Sequence, residues 1–280
     1  MSTGVQAEQN EVEDIEVALL LEGLYRVYGF DFREYSPASI KRRILERMRA
    51  EKATTISCLQ DKVLRDAACM QRLLIGLSVH VTSMFRDPSF YLTFRTKVVP
   101  VLRTYPTIRI WHAGCSTGEE VYSLAILLQE EGLYRKCIIY ATDISHEVLR
   151  RAKEGIFPLS AMQEYTGNYM KAGGKHEFSD YYTAHYEHVI FHPVLKTNVV
   201  FSEHNLVTDG SFNEFHVILC RNVMIYFNKA LQERVHNLIY ESLSMFGFLG
   251  LGNKESLRFT PREAFYEKVN GRDKLYRKVK

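Results

Sequence analysis

Residues 107–123 read TIRIWHAGCSTGEEVYS, and this stretch decides the fold. A short apolar run ends at Ala113. A turn of small residues follows (Gly114, Cys115, Ser116, Thr117, Gly118), then a helix that opens on Glu119 and Glu120. A backbone that leaves a strand through glycines and enters a helix can approach a ligand closely, because no side chain intervenes. Glycine turns of this kind also hold pyrophosphate, but a phosphate site wants bare amides and a positive helix end. Glu119 and Glu120 would repel a phosphate and suit a cationic ligand; two acids in a first helical turn also suit the helix dipole with no ligand at all. No Lys-Ser or Lys-Thr pair follows Gly118, so the turn is not a P-loop.

Working outward, the pattern repeats. Residues 137–143 (CIIYATD) are a second apolar run, ending in Asp143 where such folds bind a ribose hydroxyl pair. A third, Val199–Leu206 (VVFSEHNL), ends at Asn205 and Leu206; a fourth, Phe215–Phe227 (FHVILCRNVMIYF), carries Arg221 and Asn222 where an apolar strand gives way to polar residues. Polar clusters at every strand end are what an open parallel sheet presents to a ligand at its carboxyl edge. Strands at 107–113 and 137–142 alternate with helices at 119–132 and 145–154, as in a doubly wound α/β sheet. A helix at 228–245, a strand at 247–252 and a closing pair near 265–269 and 274–279 complete it. Alternation from Phe178 to Phe191 predicts a small antiparallel hairpin, inserted over 175–197.

The N-terminal part is of another kind. Residues 1–12 are polar and are expected to be disordered. Ile15, Leu19, Leu20, Leu24 and Val27 then recur at helical spacing until Gly29. Ser36-Pro37 marks the start of a helix to about Lys52, and further helices fit 56–65 and 67–77. The expected organisation is a helical domain over 13–86, a connecting helix over 87–106 bent or ended by Pro100, and an α/β domain over 107–280.

These residues resemble the CheR-type chemotaxis receptor methyltransferases, protein-glutamate O-methyltransferases that use S-adenosylmethionine. Members carry AGCSTGEE, a strand ending ATDIS, an HNL segment and CRNVMIYF, all present here in that order. They also carry a TxxFR-like stretch, here Thr82, Ser83, Met84, Phe85 and Arg86. The resemblance implies a Rossmann-like S-adenosylmethionine-dependent methyltransferase sheet, an N-terminal all-helical domain and a small inserted antiparallel β-subdomain that docks receptors. It implies methyl transfer to glutamate side chains of methyl-accepting chemotaxis receptors, with S-adenosylhomocysteine as product. Cofactor contacts are then expected from His80, Thr82, Arg86, Gly114, Glu119, Glu120, Asp143, Asn205, Leu206, Arg221 and Asn222. Arg86 and Tyr226 are the candidate catalytic residues. Many members have asparagine where this chain has His80, so contact through an imidazole should make cofactor affinity depend on pH.

The chemistry asks little of acid–base groups. A glutamate acceptor is ionised at neutral pH, its reference pKa lying about 2.7 units lower. The enzyme must align it with the methyl group, remove its water and hold a pre-organised pocket. Arg86 could grip a carboxylate with two hydrogen bonds, or could simply cap a surface turn. Tyr226 could border the transfer path or serve only in packing. Two other readings stay open: methylation of another protein or a small molecule, and a non-catalytic module that senses the cofactor.

Composition narrows the field further. A net charge of +3 and a pI near 8.5 give no case for nucleic acid. The acidic N-terminus resembles neither a signal peptide nor a membrane span, so a cytoplasmic protein is expected. The five cysteines are odd in number and scattered, which reads as reduced thiols, with Cys115 a filler of the turn rather than a nucleophile. Among the ten histidines, His185, His188 and His192 come nearest to a metal set. His185 and His188 are expected on opposite faces of the hairpin, so no metal is expected. The helix from Pro37 carries Lys41, Arg42, Arg43, Arg47, Arg49 and Lys52 against Glu46 and Glu51. It is either a solvated basic face or a guide for glutamate-rich receptor helices.

Overall fold

The computed structural model describes residues 2–77 and 82–280, with side chains from residue 10 onward. The chain divides into two compact units, one running to residue 80 and including Tyr226–Gln232, the other made of 81–225 and 233–280.

The first unit is helical. α1 (Ser2–Tyr28) begins well inside the stretch expected to be disordered. AEQNEVEDIE is rich in helix formers and lacks proline and glycine, so nothing there stops a helix. α1 buries Val17, Leu20, Leu21 and Leu24, whereas Ile15, Leu19 and Val27, expected inside, are exposed. The true apolar stripe is the one at 17, 20, 21 and 24, with the three- and four-residue steps of one helix face. α2 (Pro37–Ala50) starts at its proline, as expected, although the Ser36 side chain makes no capping bond. α3 (Ile56–Arg65) is capped by Thr55, whose hydroxyl accepts from the Cys58 N–H, and α4 (Ala67–Leu77) follows. Tyr226–Gln232 joins this unit through a bridge between Tyr35 and Phe227, with Ser36 N–H donating to the Tyr226 carbonyl at 2.8 Å.

The second unit opens with α5 (Pro88–Thr93) and α6 (Val99–Leu102), joined by a π-helical turn at Phe94–Val98. Pro100 lacks an N–H and its ring crowds the preceding turn, so the wider register absorbs it and the chain continues. β1 (Ile108–Ala113), α7 (Glu119–Glu130), β2 (Cys137–Asp143) and α8 (His146–Glu154) then alternate. β3 (Ile156–Pro158), α9 (Met162–Lys171), β4 (Tyr182–His185) and β5 (His188–Phe191) form the insertion. β6 (Val199–Glu203), β7 (Phe215–Cys220), α10 (Lys229–Ser242), β8 (Leu243–Leu251), β9 (Tyr266–Lys268) and β10 (Leu275–Lys278) complete the chain.

The main sheet runs β6-β2-β1-β7-β8-β10-β9. Its first five strands are parallel; β10 is antiparallel to both β8 and β9. β1 is flanked by β2 on one side and β7 on the other, so connections leave it in both directions. That reversal opens a crevice beyond its carboxyl end, directly at the glycine turn. β1 is buried along nearly its whole length, as expected of a strand covered on both faces, and the Trp111 indole donates to the Thr142 hydroxyl at 2.8 Å.

The insertion is larger than the 175–197 expected, since β3 supplies a third strand in the order β3-β5-β4. Three residues such as Ile156–Pro158 are too short a run to show alternation. Glu130 ties this sheet to α7, accepting from the Tyr181 hydroxyl and the Lys175 N–H, each at 2.9 Å, and from Tyr169 and Arg95. His185 and His188 are cross-strand partners with parallel rings 6.0 Å apart, on one face rather than two, because a two-residue turn separates them. Among the described residues no cluster of three metal-ligating side chains forms, and no helix is long and apolar enough to cross a membrane.

Candidate active site

The turn after β1 is built on backbone conformations that side chains disfavour. Gly114, Ser116 and Gly118 have φ of +73°, +50° and +95°. The Gly114 and Cys115 N–H groups both donate to the Thr142 carbonyl at 2.8 Å, which folds the turn over the end of β2. A Cβ on Gly114 would stand 2.5 Å from Val223 Cγ2, so the loop after β7 packs directly on the turn. Asp143 accepts from the Ser116 N–H at 3.0 Å and the Ser145 N–H at 3.2 Å, which sets its carboxylate at the mouth of the crevice.

The two glutamates that open α7 have separate fates. Glu119 is buried, takes one hydrogen bond from the Thr117 hydroxyl at 2.7 Å, and burial raises its carboxyl above the usual range. Glu120 is turned inward onto Arg221, with Nη1 to Oε1 at 2.5 Å. Burial alone would raise the Glu120 carboxyl, but the charges of Arg221 and His112 outweigh it and hold the group below its ordinary value. Its charge is therefore already answered by protein. His112 lies 3.7 Å away, fully buried, and desolvation lowers its pKa.

Arg221 was expected to line the pocket; its side chain is only 1 % exposed and works as a clamp. Besides Glu120 it donates to the Asp87 carboxylate at 2.7 Å and to the Arg86 carbonyl at 3.2 Å, with its guanidinium 4.3 Å above the Phe90 ring. Phe85 and Asp87 both sit at positive φ, 51° and 60°. They are held there by Arg221 and by the Phe85 N–H bonding to the Ser123 hydroxyl at 2.9 Å. The TxxFR-like stretch is thus pinned to α7 and β7, leaving Arg86 half-buried and close enough to add to the field on Glu120. Thr82 is half-buried just upstream.

Asn222 follows at φ +61°, and its side-chain oxygen is buried without a hydrogen-bond partner. Asn205 has its side-chain oxygen engaged with the Val207 N–H at 2.9 Å, an Asx turn that shapes the loop around the nearly buried Leu206. Tyr226 belongs to the helical unit, where the Arg43 guanidinium stands 4.6 Å over its ring. His80 lies outside the described residues. One unit therefore gathers Thr82, Arg86, Gly114, Glu119, Glu120, Asp143, Asn205, Leu206, Arg221 and Asn222 along the carboxyl edge of one sheet and the segment packed on it.

The side chains along this edge, the carboxylates of Asp143 and Glu119 and the Asn222 oxygen, are acceptors, a set that fits a cationic adenosyl sulfonium and not a phosphate. Sequence reasoning missed Asp87, His112 and Glu255. A signal for Glu255 is present in the sequence, since it stands four residues past the end of β8, as Asp143, Asn205 and Arg221 stand at the ends of other parallel strands.

Comparison with known proteins agrees. Residues 15–77 match the family model for the CheR methyltransferase all-alpha domain, and residues 80–273 match that for the CheR methyltransferase SAM binding domain. The Cher3 protein of Pseudomonas putida is 51% identical over 265 residues, covering 95% of this chain and 97% of that one. The chemotaxis protein methyltransferase of Listeria monocytogenes is 29% identical over 234 residues, 83% of this chain and 86% of its own. That of Salmonella typhimurium is 28% identical over 274 residues, 90% and 87% of the two chains.

Proposed function

The chain belongs to the CheR methyltransferase family, an S-adenosylmethionine-dependent enzyme family, and on that footing we propose that it methylates glutamate side chains of chemotaxis receptors in the cytoplasm. One observation carries the choice of a carboxylate acceptor. Among the described residues, three of the ionisable groups gathered at the crevice are committed to protein partners, and Glu119, which takes a single side-chain hydrogen bond from Thr117, is left for the amino-acid tail of the cofactor. Glu120 is paired with Arg221, Asp143 holds two backbone N–H groups, and His112 is buried behind Glu120. With Glu119 given to the cofactor, such a site keeps no base for the acceptor, and an acceptor that arrives already ionised needs none.

When bound, S-adenosylmethionine supplies the electrophilic methyl group. Asp143 would hold the ribose hydroxyls, Asn205 and Leu206 the adenine, and Glu119 and Asn222 the amino-acid tail. Arg86, whose backbone Arg221 fixes, would hold a carboxylate with two parallel hydrogen bonds and bring it into line. Tyr226 is the second catalytic candidate on the family resemblance, and within the helical unit its ring is steadied by Arg43.

Receptor docking would fall to the basic residues of α2 and to the β-subdomain. Arg43 is buried and also donates to the Leu77 carbonyl, so it cannot serve as part of that face. Arg42 and Arg49 are exposed and can. Reversing both to glutamate should slow methylation of an acidic receptor domain and flatten its salt dependence, with cofactor affinity unchanged. An unaltered rate would remove α2 from the docking surface.

The deciding experiment incubates the protein with methyl-labelled S-adenosylmethionine and purified receptor cytoplasmic domains. Alkali-labile label on receptor glutamates is the expected result. Alkali-stable label, or transfer only to another protein or a small molecule, would overturn the acceptor.

A further inference from the structure

We infer that Glu255 is a positioning residue of the methyl-transfer site: it fixes the loop after β7 so that Asn222 is presented to the cofactor. Glu255 is 5% exposed and among the described residues has no cationic partner; its carboxylate is saturated by main-chain donors. Oε1 accepts from the Val223 and Met224 N–H groups, both at 2.8 Å. Oε2 accepts from Asn222 at 2.9 Å and from Gly252 at 2.6 Å. Three consecutive amides after a strand converge on one anion only if the chain turns sharply, and here it does so with Asn222 at φ +61°. Asparagine tolerates the left-handed conformation better than most residues with a Cβ, and the four hydrogen bonds to Glu255 fix it there.

Two close approaches complete the clasp. Gly252 lies against Asn222 with no room for a side chain, since a Cβ would stand 2.7 Å from both the Asn222 backbone N and Nδ2. Val223 closes on Gly114 from the other side. The loop is therefore gripped between two glycines and tied by four hydrogen bonds. Its outcome is a buried side-chain oxygen on Asn222 that no group among the described residues satisfies. A buried acceptor kept bare is costly to the empty protein and useful once a donor arrives.

Only a carboxylate can do this. In Glu255→Gln one terminal atom becomes an NH2 group facing two N–H donors, so whichever way the amide turns, two donors lose their acceptor and meet a donor instead. The inference rests on the reading that Asn222 contacts the cofactor. The test therefore pairs Glu255→Gln with Asn222→Ala in the full chain, measuring S-adenosylhomocysteine affinity by calorimetry and steady-state kinetics with S-adenosylmethionine.

Each variant should weaken affinity by roughly tenfold or more. Glu255→Gln should raise KM for the cofactor by a similar factor while kcat at saturation holds within about threefold. A fall in kcat with KM unchanged marks a loss of folded enzyme and overturns the inference. If Asn222→Ala weakens binding and Glu255→Gln does not, this inference alone fails. If Asn222→Ala leaves binding unchanged, the assignment of Asn222 fails and takes the inference with it. Amide exchange of the unsubstituted, cofactor-free protein decides the matter even if Glu255→Gln does not fold. The amides of Asn222, Val223, Met224 and Gly252 should exchange as slowly as core strands, and exchange at exposed-loop rates overturns the clasp.

Discussion

Replacing Glu120 with glutamine removes the charge that balances Arg221 while keeping the shape. Arg221 is 1 % exposed on its side chain, and of its two acidic partners Asp87 is the more exposed, at 25 %. Breaking a buried pair from one side costs about 3–5 kcal/mol, because the remaining charge stays desolvated. With Asp87 still in contact the lower end applies, about 3 kcal/mol. The second unit has about 190 residues, for which each kcal/mol is worth roughly 2–4 °C, so its melting temperature at pH 7 should fall by roughly 6–12 °C. Glu120 titrates below its ordinary value in the folded chain, so its stabilisation is present above the unfolded pKa near 4.5 and is lost as pH falls through the folded value. The gap between wild type and Glu120→Gln should accordingly close in acid. Glu120→Leu combined with Arg221→Met supplies the control. An apolar pair of similar volume should restore stability to within about 1 kcal/mol of wild type, yet leave cofactor binding impaired, because Asp87 and the Arg86 carbonyl have lost their anchor. Thermal unfolding and calorimetry with S-adenosylhomocysteine read the two effects separately. A cost below about 1 kcal/mol for Glu120→Gln, or a double variant no more stable than the single one, would refute the clamp.

Gly252→Ala should reduce S-adenosylhomocysteine affinity about tenfold or more, since the new methyl meets Asn222 backbone at 2.7 Å; calorimetry measures it. Arg86→Lys should lower kcat/KM about as far as Arg86→Ala, roughly tenfold or more, because an ammonium cannot make the two-pronged bond; recovery in the lysine variant would reduce Arg86 to a point charge. His236 is buried and burial lowers its pKa to about 4, so between pH 6.5 and 4 the unfolded chain binds the extra proton and stability rises with pH. Urea titrations should show this group contributing about 3 kcal/mol of the change across that window, and His236→Gln should abolish that share.

Much of this architecture is legible along the chain because it is written in local terms. Apolar runs ending in polar residues, glycines where φ turns positive, and Ser36-Pro37 before α2 each depend on a few neighbours. The β3 strand was not legible, because its three residues become a strand only by pairing with β5. The exposed side of α1 is hidden for a related reason: two overlapping helical stripes exist in the sequence, and packing selects between them. Residue types at the site could be found, but their roles could not. Glu119 and Glu120 look equivalent in a first helical turn, yet one accepts from the Thr117 hydroxyl while the other is consumed by Arg221.

The sequence by itself determined that a strand, a glycine turn and an acid-led helix would form a crevice closed to phosphate, and that acidic and amide side chains would stand at successive strand ends. Those are consequences of backbone sterics and of period-two and period-3.6 patterning. Only the tertiary structure decided which charges meet. Glu120 and Arg221 are 101 residues apart, and the Glu255 clasp reaches back 31 to 33 residues. Both exist because the strand order sets β1, β7 and β8 side by side, with their carboxyl ends together. A buried charge has to find its partner there or remain costly, and no local pattern states which partner that is.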